Sequence, residues 1–178
     1  MPLGGGSSVG FGASGSTGWE KIVDETLIAA ATSIDVTSLD LDTDALYKIY
    51  LLYYNPTGAT NIISCFFNGD TTATNYDYQS LTGSGAAVST VHGDNAQVCA
   101  VYAGRYVTIV GDLSAPVGAN PIGYWEQTTK DGSDMNFYLN HLTWTAGSGA
   151  NVNRITFTGN QANGFGIGTR LIIFKVVS

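Results

Sequence analysis

Residues 45–54, ALYKIYLLYY, constrain the fold more than any other segment. An extended chain puts successive side chains on opposite faces. Here that places Tyr47, Ile49, Leu51 and Tyr53 on one face and Lys48, Tyr50, Leu52 and Tyr54 on the other. Both faces are mostly apolar or aromatic, as expected of a central strand in a packed sheet. Asn55-Pro56-Thr57-Gly58 then turns the chain. Residues 61–67 (NIISCFF) run back, and Asn68-Gly69-Asp70 ends that run.

The rest of the chain repeats this pattern. Ile34, Val36 and Leu39 mark an earlier strand, and further β-like runs fall at 87–91, 97–102, 105–113, 122–129, 137–145, 152–158 and 169–177. In the last, Ile172, Phe174 and Val176 share a face. The pattern predicts about ten strands with no helical crossovers between them. Residues 25–31 are a weak helical candidate, short enough to be a turn or strand. No repeat of roughly 20–50 residues points to a propeller or solenoid. The predicted architecture is all-β: an antiparallel two-sheet sandwich, jelly-roll-like, over residues 19–178.

Composition narrows the function classes. Of 178 residues only 12% are charged, and the net charge is −7. The polar surface must come mostly from Thr, Ser, Asn and Gly, which desolvate at lower cost than Lys and Glu and suit permanent contacts. The seven basic residues are scattered, so the clustered Lys/Arg of a nucleic-acid interface is missing. No apolar run reaches the roughly 18 residues of a membrane-spanning helix. The N-terminus lacks the basic start and apolar core of a signal peptide, so the mature chain is expected to begin near Met1.

Motifs for chemistry are sparse. Asp40-Leu41-Asp42-Thr43-Asp44 alternates carboxylates as a calcium loop does, but Ala45 and Leu51 stand where an EF-hand needs Gly and Glu. An acidic, solvated loop is expected there. His92 and His141 fit no zinc spacing, so no metal site and no cofactor are expected. His92-Gly93-Asp94 supplies a base and a carboxylate without a nucleophile elbow. The glycine-rich stretches at 82–85 and 147–149 read as flexible loops, lacking the lysine and helix of a phosphate-binding loop. The chain is expected not to be an enzyme. Cys65 and Cys99 lie in β-like runs and are either buried free thiols or a single bridge.

Two regions remain as binding candidates. Residues 1–18 are rich in Gly and Ser and carry no charge. Such a segment cannot fold alone: it is a disordered tail in isolation, or, as expected here, an arm that lies on a partner, anchored by Leu3, Val9, Phe11 and the adjoining Trp19. The segments 75–79 (NYDYQ) and 124–127 (YWEQ) combine aromatic rings with amides and carboxylates. Asn75, Tyr76, Tyr78 and Trp125 are therefore candidates for glycan contact, the alternative being that their rings are core or interface.

Four features occur together: Trp19 after a small-residue arm, Leu39-Asp40-Leu41-Asp42 before a Tyr-rich strand, Phe67-Asn68-Gly69-Asp70 followed by Asn75-Tyr76 and Tyr78, and the closing Gly166-Ile167-Gly168-Thr169-Arg170-Leu171-Ile172-Ile173-Phe174. In these the chain resembles the small structural proteins of tailed bacteriophages. The resemblance covers roughly residues 19–178 and brings no catalytic signature. It implies a virion component made in the host cytoplasm. The leading expectation is a capsid decoration (cement) protein that binds the major capsid protein and copies of itself, with a homotrimer as the expected symmetry. The alternative is a tail-fibre head domain that recognises a host surface glycan.

Overall fold

The computed structural model describes residues 18–115, 118–131 and 134–177. Twelve strands are present among them: β1 Gly18–Thr26, β2 Ser33–Thr37, β3 Leu46–Tyr54, β4 Asn61–Phe67, β5 Tyr76–Ser84, β6 Ala87–Gly93, β7 Gln97–Val101, β8 Tyr106–Ser114, β9 Ile122–Asp131, β10 Asp134–Trp144, β11 Arg154–Gly159 and β12 Arg170–Val177. A one-turn helix, α1, spans Leu41–Asp44, and 3₁₀ turns occupy Ala73–Asn75 and Thr145–Gly147.

Two antiparallel sheets form, as the alternating runs predicted, but they are unequal. The large one has eight strands in the order β1-β12-β3-β8-β9-β10-β5-β6, and the small one four in the order β2-β11-β4-β7. β3 lies inside the large sheet, between β12 and β8. Its Tyr47, Ile49, Leu51 and Tyr53 are buried against the small sheet, and Tyr50, Leu52 and Tyr54 lie on the opposite face. The shared core adds Ile63, Cys65 and Phe67 from β4, Ile155 and Phe157 from β11, and Leu171 and Ile173 from β12. Trp125 of β9 reaches across to meet Phe157 edge-on, ring centroids 5.6 Å apart.

The inner face turns polar beneath β7. Gln127 Nε2 donates to the carbonyl of Ala100 at 3.0 Å, and Asn140 Nδ2 donates to that of Val98. These side chains tie the last strand of the small sheet down onto the large one.

Two local readings are corrected and two open alternatives are resolved. Residues 25–31 form no helix: β1 runs to Thr26, and a loop follows it. Residues 40–44 are not a freely solvated loop. Leu41 is wholly buried, which pulls this segment onto the core, and Asp40 caps α1 by accepting from Thr43 N. Residues 76–84 form a strand, so Thr82–Ser84 are not a loop. The turn to β6 is confined to Gly85 and Ala86, and Gly85 takes φ 56°. Cys65 and Cys99 are both free and buried, and burial pushes both thiols up.

Candidate interaction face

The strand register arranges the outward side chains of the large sheet in rows, because directly opposed residues share a face. One row runs Arg170, Leu52, Thr108, Thr128, Phe137, Gly83, Val88. The next runs Asp24, Ile172, Tyr50, Val110, Glu126, Leu139, Leu81, Thr90. A third runs Lys21, Phe174, Lys48, Asp112, Tyr124, His141, Gln79, His92. No described element covers this face.

Exposed aromatic and aliphatic side chains are interleaved on it with polar and charged ones. Tyr106 is 75% exposed and stacks on Tyr54 with centroids 4.3 Å apart, and Tyr50 meets Phe174 edge-on at 6.0 Å. Leu52, Leu81, Tyr124, Met135 and Phe137 are also exposed. The charges present largely neutralise one another. Lys48 Nζ lies 2.8 Å from Asp112 Oδ2, and Arg170 and Lys21 both hold Asp24. Hydrogen bonds from Arg170 and then Lys21 hold the Asp24 carboxyl well below the usual carboxylate range. Glu126 stands among apolar neighbours, Val110 on one side and Leu139 on the other.

Two shallow depressions indent the face. One, of about 590 Å³, is lined by Leu52, Tyr106, Val110, Glu126, Thr128 and Phe137 among others. The other, of about 430 Å³, is lined by Gln79, Leu81, Thr90, His92, Tyr124 and His141 among others.

The residues singled out from sequence fall in different places. Trp19 is 52% exposed on β1, the first strand of the large sheet, and shares the outward face with Val176. Leu3, Val9 and Phe11 lie outside the described residues. The proposed glycan set is corrected. Tyr76, Tyr78 and Trp125 are 1%, 4% and 0% exposed, so none can offer a ring face to a sugar. They point inward because β5 and β9 alternate, which sends Asp77, Gln79, Tyr124 and Glu126 outward instead. Asn75 is half-buried and structural, donating to Asp70 Oδ2 at 2.9 Å. Sequence reasoning missed Tyr106 and Phe137, singled out Trp125 and not Tyr124 from the 124–127 segment, and weighed His141 only as a metal ligand. The signal that finds them is cross-strand register, which local patterning does not supply.

Neither acidic nor histidine candidates converge on a chemical centre. Asp40 accepts from Thr43 Oγ1 at 2.9 Å and Asn151 Nδ2 at 2.9 Å, and Asp44 accepts from Tyr47 Oη at 2.6 Å and Lys175 Nζ at 3.1 Å. These carboxylates are engaged by protein donors. Among the described residues no group of three His, Cys, Asp or Glu side chains is placed to hold a metal ion. His92 Nε2 pairs at 2.8 Å with Asp77 Oδ1, not with Asp94, and both side chains are more than half exposed. No helix among the described residues is long and apolar enough to cross a membrane. No family model, curated protein or solved structure matches the chain.

Proposed function

We propose that this chain is a structural protein of a tailed-phage-like virion, a decoration protein that packs against a capsid surface through the outward face of its eight-stranded sheet. The carrying observation is that face itself: broad, aromatic, internally charge-paired and uncovered by any described element. Several large exposed apolar side chains gathered on one face are a mark of a partner-contact surface. Exposed Tyr and Phe with few free charges are what the centre of a protein interface is made of. In this reading the domain is a jelly-roll-like module, and residues 1–18 add contact with the major capsid protein or with a neighbouring copy.

The test is co-assembly with undecorated shells, read by sedimentation and electron microscopy. The full chain is expected to occupy a regular lattice of sites. A variant carrying Tyr106→Asp and Phe137→Asp is expected to lose at least tenfold in affinity while keeping its fold. Wild-type occupancy by that variant would reject the face as the contact surface.

One observation favours a second reading, a tail-fibre head that binds a glycan. Tyr124, His141, Gln79 and His92 converge on the 430 Å³ depression, and an exposed ring beside amide and imidazole groups suits a neutral sugar. Glycan-array binding lost on Tyr124→Ala would support it. Wild-type binding in that variant, or no binding by the full chain, would reject it.

A further inference from the structure

The two sheets have four edge strands, β1, β6, β2 and β7. An edge strand presents unpaired N–H and C=O groups to any passing strand, and proteins block such edges with charge, bulges, shortness or cover. β1 carries Glu20, Lys21, Asp24 and Glu25 and a register irregularity between Lys21 and Val23. β2 is five residues long, with Asp35 at its centre held by Arg154. β7 is capped, because Gln127 and Asn140 occupy its Val98 and Ala100 carbonyls.

β6 has none of these devices. Its seven residues, AVSTVHG, include no Lys, Arg, Asp, Glu or Pro, and its register with β5 is unbroken. Val88 is 73% and Val91 55% exposed, on opposite faces of the strand. Alternate residues of β6 turn their backbone polar groups away from β5. This is a regular, uncharged, β-branched edge with nothing among the described residues to stop another strand from pairing with it.

We propose that β6 is the contact strand of a two-fold dimer of this chain, pairing antiparallel with β6 of a second copy to join the two large sheets. The occupant is a second copy because of charge. A chain at −7 repels itself over most of its surface, but β6 carries no carboxylate, and nearby Asp77 already faces His92. Centring the pair on Thr90 sets Thr90 opposite Thr90, Ser89 opposite Val91 and Val88 opposite His92. No like charges then meet, and paired threonines are favourable cross-strand neighbours. A two-fold contact of this kind is isologous and closes at two copies, unlike the head-to-tail contact that the expected trimer requires. Seven residues span roughly 23 Å, so the interface sits at the small end of the range, and a dissociation constant of about 1–100 µM is expected.

The test uses the isolated full chain and is independent of the virion reading. Sedimentation over rising concentration is expected to show a monomer–dimer equilibrium. Thr90→Lys sets two ammonium groups against each other on the axis and is expected to raise the dissociation constant at least tenfold, with an unchanged melting temperature for the monomer. Thr90→Cys is expected to give a disulfide-linked dimer on mild oxidation, since the native Cys65 and Cys99 are buried. That readout stands even if the lysine variant folds poorly. A chain that stays monomeric to roughly 0.5 mM, well above that range, would overturn the proposal. So would a trimer, a dimer untouched by Thr90→Lys, or a Thr90→Cys chain that forms no disulfide-linked dimer on mild oxidation.

Discussion

Trp125 lies flat against the backbone of two glycines. A Cβ on Gly111, its direct cross-strand neighbour, would sit 2.2 Å from the indole ring, and one on Gly123 would sit 2.7 Å from its Nε1. The ring is wholly buried and wedged against Phe157, so it has nowhere to move. Gly111→Ala is therefore an overpacking change. It is expected to cost about 1–3 kcal/mol and to lower the melting temperature by roughly 2–12 °C. Gly58→Ala, with nothing within 4 Å of the new atom, is the control and is expected to melt like wild type in calorimetry. Equal melting of both variants would contradict the packing described. This residue also shows where sequence reading stopped. YWEQ looks like a sugar-binding loop until the two glycines that its indole lies against are known, and they stand 14 and 2 residues from Trp125 along the chain.

The connection between β4 and β5 is organised by one carboxylate. Asp70 accepts from Trp144 Nε1 at 2.8 Å, from Asn75 Nδ2 at 2.9 Å and from Thr72 N at 3.0 Å. Burial pushes its pKa up, but these hydrogen bonds outweigh burial and leave it below the ordinary value. A folded-state value below the unfolded one means stability that is fully present above about pH 4 and is lost as pH falls through the folded value. Asp70→Asn is expected to lower the melting temperature at pH 7 and to flatten its fall between about pH 5 and 2. The Trp144 fluorescence of the wild-type protein should titrate over the same interval. A variant with the wild-type pH profile would assign the acid sensitivity to other carboxylates. Elements such as this one were partly legible. Asn68-Gly69-Asp70 announced its turn, and Asn68 and Gly69 do take positive φ of 51° and 76°. The alternation Tyr76-Asp77-Tyr78-Gln79 is a strand signature, masked by the resemblance of the segment to a polar loop. β1 was hidden by the four charges that protect it as an edge, because they break the apolar alternation a strand is recognised by.

At the scale of the molecule, short β-type runs without crossovers were enough to indicate two antiparallel sheets. The division into eight and four strands, and with it the face that no described element covers, depends on pairings between distant segments such as β1 with β12 and β3 with β8. Those pairings leave one core for both sheets, and that has a consequence for unfolding. Cys65 and Cys99 lie in the small sheet and Trp125 in the large one, and all three are 0% exposed in the same cluster. Stripped of the large sheet, the small one would expose Phe67, Ile155 and Phe157 and lose the Gln127 and Asn140 caps on β7. A four-stranded remnant of that kind has too little buried surface to persist alone. In urea, thiol labelling and the fluorescence of the buried tryptophans are expected to share one midpoint, as a single cooperative transition requires. Labelling below that midpoint is expected to be suppressed by the unfolding equilibrium constant, because burial disfavours the reactive thiolate in the native state. Thiols that became reactive at clearly lower urea than the tryptophan transition would mean that the small sheet opens on its own. The eight-stranded sheet would then be the more stable unit, with both of its faces bare to solvent during that opening.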